Sequence, residues 1–167
     1  MYLNSPFSKL DIATDFDLFF HEIYIEWEKS WIRKKEYIGT HLYQIEGNIE
    51  AWRAVYLTNE ITLLLYTVNN KNVGYIGFSI REDSLLSTEL LIKESERGKK
   101  MGERLVKDFL QFITDQKITC NEIVLETNQS NISNKIYLNN GFILHKIIEN
   151  DRENGESTHV YVKTLHS

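Results

Sequence analysis

One stretch of this 167-residue chain concentrates cations and glycines: Glu89-Leu90-Leu91-Ile92-Lys93-Glu94-Ser95-Glu96-Arg97-Gly98-Lys99-Lys100-Met101-Gly102-Glu103-Arg104-Leu105. It reads as a short buried strand, a charged turn and the start of a helix. The first N–H groups of a helix have no internal partner, and the helix dipole adds roughly half a positive charge there. Gly98 and Gly102, four apart, let the backbone approach a bulky ligand closely. Between Lys93 and Lys107 stand six cations (Lys93, Arg97, Lys99, Lys100, Arg104, Lys107) and three acids (Glu94, Glu96, Glu103), a local balance of +3. The chemistry this favours is the binding of a pyrophosphate.

The rest of the composition narrows the partner. Nineteen Lys+Arg against 24 Asp+Glu give a net charge of −5, so no general nucleic-acid footprint is expected. An acidic surface with one basic spot suits a small anionic ligand and is compatible with a cationic second substrate. Cys120 is the single cysteine, which excludes a disulfide framework and a cysteine-rich metal site. It reads as a small buried residue. His21, His41, His145, His159 and His166 show no ligand spacing, so no metal is expected. No run of about 18 apolar residues occurs, and no basic region followed by an apolar run opens the chain, so neither a membrane span nor a secretory signal is read. The expectation is a cytoplasmic protein, monomer or homodimer, forming one domain over residues 1–167.

The elements that must position the basic stretch follow from periodicity. The start of the chain holds the single proline, Pro6, and suits an irregular or short extended segment. Thr14 with Asp17 resembles a capping box. Phe16, Phe20, Ile23, Trp27 and Trp31 have helical spacing, widened by Leu18, Phe19, Tyr24 and Ile25, and predict a helix over residues 15–34. Residues 36–57 are mixed, with Ile49, Trp52, Ala54, Val55 and Tyr56 suggesting a short helix. Residues 61–68 and 73–81 are β-rich around the turn cluster Asn69-Asn70-Lys71-Asn72. Gly74 and Gly77 in the second of these strands signal close approach by another group. A third strand covers residues 85–92. An amphipathic helix follows over 100–116, then a strand over 122–127, a short helix Ser133–Asn139 stopped by Gly141, and a hairpin of 142–149 with 158–165. Hairpins predominate, but the strand–helix–strand step is a crossover and requires a locally parallel pair. The fold class is α/β: a mixed, mostly antiparallel sheet flanked by helices.

Two segments now carry a resemblance. The segment from Leu91 to Gly102 resembles the acyl-CoA-binding motif of the GNAT superfamily of N-acetyltransferases, a strand followed by Arg/Gln-x-x-Gly-x-Gly/Ala and a helix. Arg97 and Gly102 match its ends, and Lys100 stands where the central glycine belongs. The segment Asn131-Ile132-Ser133-Asn134-Lys135-Ile136-Tyr137-Leu138-Asn139-Asn140-Gly141-Phe142 is similar to the second signature, a short helix with a tyrosine four residues before Gly-Phe. The usual asparagine, seven before the tyrosine, is Ser130, with Asn131 beside it. The resemblance spans residues 61–165. It implies acetyl-CoA as co-substrate, held by Leu91, Ile92, Lys93, Arg97, Gly98, Lys99, Lys100, Met101, Gly102, Glu103, Ser130, Asn131, Ser133 and Tyr137. It also implies transfer to a small-molecule or peptide amine in a ternary complex. Residues 1–60 would shape the acceptor pocket, and residues 61–167 would form the acyl-CoA-binding core.

Acetyl transfer needs a base for the amine and an acid for the departing thiolate. Tyr137 matches the family's usual acid, and a phenol with a pKa near 10 is protonated at neutral pH. Packing of its short helix on the sheet is the bland alternative. Glu89 is a carboxylate in an otherwise apolar strand, and burial would raise its pKa into the range of a general base. Its odd spacing from Ile92 puts the two side chains on opposite faces. An ion pair is the bland reading, and Glu126 is the competing base. Backbone N–H near Leu91 or Ile92 would polarise the thioester carbonyl, as the family suggests. Tyr24, Trp27, Trp31 and Glu126 are the candidate acceptor-binding residues, although core packing is the first reading of the aromatics. The rivals are a non-catalytic acyl-CoA-binding domain of the same fold and a different nucleotide- or phosphate-binding enzyme.

Overall fold

A computed structural model describes residues 5–20, 22, 49–152 and 155–165. A seven-stranded sheet runs through them in the order β1-β2-β3-β4-β5-β7-β6. The strands are β1 (Phe7–Lys9), β2 (Thr62–Val68), β3 (Lys71–Arg81), β4 (Ser84–Ile92), β5 (Glu122–Asn128), β6 (Ile143–Ile148) and β7 (Thr158–Thr164). The helices are α1 (Ile49–Thr58), α2 (Met101–Asp115) and α3 (Ser133–Asn139), with residues 16–20 also helical. Every neighbouring pair is antiparallel except β4 with β5. The crossover through α2 makes that pair parallel, as the strand–helix–strand order requires.

Alternation along the strands divides the core between the two faces. Leu64, Tyr66, Ile76, Phe78, Ile123 and Leu125 pack under Leu105, Val106, Phe109, Phe112 and Ile113 of α2 and Tyr137 of α3. Leu63, Tyr75 and Leu91 face the other way, against Phe16, Phe19 and Phe20 and against Trp52 and Tyr56 of α1. The stripe predicted for the main helix is thus the buried stripe of α2. Leu18 departs from the face assigned to it and is 83% exposed. The helical turn also starts differently. Asp11 Oδ1 accepts the Ala13 N–H at 2.9 Å, and Asp17 pairs with Arg53 instead of serving a Thr14 cap. A carboxylate two residues before an N–H closes such a turn without help from Thr14. Residues 23–34, including Tyr24, Trp27 and Trp31, lie outside the described residues, as do 35–48.

The first hairpin is tighter than its four-residue turn cluster suggested. Val68 pairs with Lys71, and Asn69 and Asn70 both take positive φ (51° and 61°). Two left-handed residues are what a type I′ turn needs, and asparagine tolerates them.

Two irregularities set the position of β4. Gly77 pairs with Glu89, but Phe78 pairs with Ser87, so Thr88 is an extra residue in β4. Such a bulge bends its strand and resets the alternation. Leu85, before it, belongs to the α2 face. Glu89, four residues on, would share that face in a regular strand, yet it bonds Tyr56 on the α1 face. The bulge therefore carries Glu89 through the sheet. The second irregularity is Gly74. A Cβ there would stand 2.2 Å from the Leu91 carbonyl oxygen, so glycine is required for β3 and β4 to approach as they do. Gly74→Ala is expected to lower stability by about 3 kcal/mol, the upper end of overpacking costs. Urea unfolding measures this, and an unchanged midpoint would show that the strands can part freely.

Candidate active site

The site begins where β4 and β5 separate. Their parallel pairing covers only Ser84–Ser87 against Glu122–Leu125. Beyond it, β4 continues to Ile92 while paired to β3, and β5 continues to Asn128 while paired to β7. The bulge at Thr88 lies directly after the last shared pair. The facing edges of 88–92 and 126–128 are left without each other, and backbone groups on such edges are open to an extended ligand. The Lys93 N–H donates to the Val73 carbonyl at 2.9 Å, toward β3. Alternation then turns the Ile92 N–H toward the opening. Of the two backbone amides considered for carbonyl polarisation, Ile92 is the one so directed.

At the end of β4 the chain passes through a short 3₁₀ turn, Glu94–Glu96, into α2. Gly98 (φ 79°) and Lys100 (φ 56°) are left-handed on either side of Lys99. Lys100 holds a conformation that glycine adopts freely and that costs another residue roughly 1–2 kcal/mol. The Arg104 N–H makes the first helical bond, to the Lys100 carbonyl at 3.0 Å. The amides of Met101, Gly102 and Glu103 precede it and have no intrahelical acceptor. Lys99 and Lys100 are exposed around them. Gly102 has a further role, since a Cβ there would lie 3.0 Å from Ile136 Cδ1, so the glycine lets α3 sit close to α2.

Several cations of this stretch are already engaged. Arg97 is exposed, but its Nε donates to the Ile92 carbonyl at 2.9 Å and pins the turn to the strand. Lys93 pairs with Glu22 from the N-terminal side, and burial pushes its pKa down. Glu96, buried at the base of the turn, pairs with Lys71 and with Lys99 (3.3 Å). The local balance of +3 is thus partly spent on shaping the loop.

Glu89 sits under α1. Its Oε1 accepts the Tyr56 hydroxyl. Tyr75, from β3, also favours the charged form, to a smaller extent. Desolvation outweighs both phenols and pushes the Glu89 carboxyl up from 4.5 to about 7. Glu126 lies on the same face by alternation with Ile123 and Leu125 but is exposed. Neither Tyr56 nor Tyr75 stood out in the sequence. Both look like ordinary apolar-pattern residues, and only the strand register and helix docking bring them to Glu89.

On the opposite face, Tyr137 is 4% exposed and packs on Phe142 (5.9 Å) and edge-on against Tyr161 (5.5 Å). Burial pushes its phenol up to about 12, against a smaller lowering influence of the nearby Ser133 side chain. It is both a packing residue and a protonated hydroxyl. Asn131 Oδ1 accepts the Ser133 N–H and hydroxyl, each at 3.0 Å, and so caps α3, while Ser130 is exposed. Asn134, also unanticipated, ties the β5–α3 loop to β7. Its Nδ2 donates to the carbonyls of Asn128 (2.9 Å), Gln129 (3.0 Å) and Asn131 (2.6 Å). Its Oδ1 accepts the Tyr161 hydroxyl at 2.8 Å. Among the described residues, no group of three or more His, Cys, Asp or Glu side chains could hold a metal, and no helix is long and apolar enough to cross a membrane.

A strand-to-helix anion cradle, a parted parallel pair and a tyrosine helix together define an acyltransferase class of site. The acetyltransferase (GNAT) domain model matches residues 34–165, and the chain belongs to that family. The match begins well before residue 61, where the motifs alone placed it. The fold is shared with the RimL ribosomal L7/L12 alpha-N-protein acetyltransferase in complex with coenzyme A, at a TM-score of 0.73 and 14% identity over 95% of this chain and 93% of that one. It is also shared with the PaiA N-acetyltransferase of Thermoplasma acidophilum in complex with coenzyme A (TM-score 0.61, 20% identity, 95% and 98% covered). A GNAT family acetyltransferase of Elizabethkingia anophelis with acetyl-CoA bound superposes with a TM-score of 0.57 at 20% identity, over 70% and 83% of the two chains. No curated protein matches the chain in sequence.

The raised Glu89 pKa has a consequence for stability. The folded state retains this proton up to about pH 7, whereas an unfolded carboxyl releases it near 4.5. Between those values the folded state binds more protons, so stability falls as pH rises across the window. The full effect is about 3 kcal/mol at 1.36 kcal/mol per pKa unit. Glu89→Gln keeps the acceptor for Tyr56 and removes the charge. It is expected to be the more stable protein at pH 8 and nearly equal to the parent at pH 4.5, read from urea unfolding at both. An equal difference at both pH values would show that Glu89 does not titrate within the core.

Proposed function

We propose that this chain is an N-acetyltransferase that moves the acetyl group of acetyl-CoA to a primary amine by direct attack within a ternary complex. The observation that carries this reading is the buried Glu89 carboxyl, with a pKa near 7, on the strand whose opposite edge is left open. Acetyl-CoA supplies a thioester, whose carbonyl is electrophilic and whose thiolate leaves. The residues present fit it. The amides of Met101, Gly102 and Glu103 with Lys99 and Lys100 would hold the pyrophosphate, and the open edge at Leu91–Lys93 would hold the pantetheine arm. Ser130 is exposed at the far side of the opening and Asn131 is committed to its cap, so Ser130 is the better candidate for a contact there.

The chain's own groups then divide the proton work. Glu89 takes the proton lost by the amine as its nitrogen bonds to carbon. Tyr137 donates its hydroxyl proton to the sulfur as the carbon–sulfur bond breaks, and solvent returns a proton from Glu89 to Tyr137. Ile92 N–H is directed to stabilise the carbonyl oxygen. The amine would enter on the α1 face, where Glu89 lies.

Calorimetry with acetyl-CoA against ATP, and thiol release over a panel of amines, test the reading. Acetyl-CoA is expected to bind and ATP to bind far more weakly; failure of acetyl-CoA to bind overturns it. With a turned-over amine, kcat/KM is expected to rise with pH through about 7, as Glu89 ionises. Glu89→Gln should remove that limb, and both Glu89→Gln and Tyr137→Phe should lower kcat roughly 100-fold, a typical loss for general acid–base groups. Unchanged turnover in Tyr137→Phe would leave that residue a packing role only. Lys100→Gly should weaken acetyl-CoA binding several-fold at low salt and much less at high salt, because the loss is of an exposed charge. Tighter binding would show instead that the side chain obstructs the cradle.

A further inference from the structure

We propose that Tyr56 is the positioning residue of this site: its hydroxyl holds the Glu89 carboxylate in one orientation and favours its ionised form, so the base is complete only with α1 docked on the sheet. This rests on the reading of Glu89 as the base. Tyr56 is 2% exposed, and its hydroxyl donates to Glu89 Oε1. Its ring is wedged between Phe16 at 5.3 Å and Trp52 at 6.3 Å. The donor is therefore delivered by the packing of α1 and residues 16–20 and is not a flexible reach from the surface. Burial and the Glu89 charge push the Tyr56 phenol well above its ordinary range, so it acts as a donor throughout the working pH range. A donor-only partner stabilises a carboxylate more than a carboxylic acid.

The other groups around Glu89 leave this role open to Tyr56. From β3 come Tyr75, whose hydroxyl favours the ionised carboxyl to a smaller extent than Tyr56, and Gly77, which stands directly opposite. From β4 comes apolar Leu91, and from residues 16–20 come Phe16 and Phe19. Glu126 on β5 shares the face but is exposed, and Lys93 is engaged by Glu22. No cation among the described residues is hydrogen-bonded to Glu89, so phenol hydroxyls alone offset its desolvation.

Tyr56→Phe keeps the ring and removes the hydroxyl. It is expected to move the Glu89 midpoint, followed by its side-chain carboxyl ¹³C shift, upward by about one unit, which is about a fivefold loss of ionised base at pH 7 and about tenfold well below it. The kcat/KM profile should move with it. Turnover at pH 7 should fall about fivefold and recover by pH 9, with acetyl-CoA affinity unchanged. A merely structural tyrosine would lower activity at all pH values without moving the midpoint, and that result overturns the proposal. Should Tyr56→Phe fail to fold, 3-fluorotyrosine at position 56, a stronger donor, should move the midpoint down; no movement likewise overturns it. If Glu89→Gln keeps the parent's pH profile, Glu89 is not the base, and the ¹³C titration still decides whether Tyr56 controls its ionisation.

Discussion

A single extra residue in β4 decides most of what is distinctive here. With Thr88 bulged, the strand bends away from β5 directly after the Ser87–Leu125 pair, and the alternation behind it is reset. The first effect opens an edge whose backbone groups face a gap instead of a neighbour. The second moves Glu89 from the α2 face, where its neighbour Leu85 is buried, to the α1 face. A regular β4 could not provide both a slot for an extended ligand and a carboxylate beside it. Gly74 completes the arrangement by letting β3 hold the bent segment closely, so that the strand parts on one side only.

The arrangement places opposing demands on one carboxylate. Burial raises its pKa toward neutrality, and the same burial makes its ionised form a burden on the fold. Two phenols moderate this without a counter-ion. A buried cation would hold Glu89 ionised far below pH 7 and leave it too weak a base to matter. Phenols offset only part of the desolvation, which leaves the group poised. Tyr137 shows the complementary logic on the other face, where an apolar and aromatic setting holds a phenol protonated. One sheet thus keeps a raised carboxyl and a raised phenol apart by placing them on opposite faces.

The elements were legible where a single periodicity dominated. The α2 stripe, the strand-to-helix handover at Lys93–Gly102 and the left-handed stop at Gly141 (φ 79°) all follow from local chemistry. Gly74 signalled close approach, and the Leu91 carbonyl is the group it approaches. The bulge was not legible. The polar run Ser87-Thr88-Glu89 interrupts the apolar residues on both sides of it, so alternation cannot be counted through the inserted residue. The partners of Glu89 were hidden for a different reason: Tyr56 is 33 residues away on a helix, and its hydroxyl matters only through tertiary docking. That Asn131 Oδ1 accepts the Ser133 N–H and hydroxyl was visible only at the start of α3, because either Ser130 or Asn131 could make such bonds.

Lys100 shows how a departure from a motif can be read physically. The family pattern has glycine there, and the chain still adopts the left-handed conformation that glycine would supply (φ 56°). The backbone geometry of the cradle is therefore retained at a cost of roughly 1–2 kcal/mol. Strain of that kind persists when the surroundings impose it. Here the Arg97–Ile92 bond and the buried Glu96, paired with Lys71 and Lys99, fix the turn from both sides. What the substitution adds is a charge. Lys93 and Lys99 are paired with acids and Arg97 Nε is tied to a carbonyl, so on the proposed function Lys100, exposed at the helix start, would be the cation of this turn best placed to face an incoming pyrophosphate.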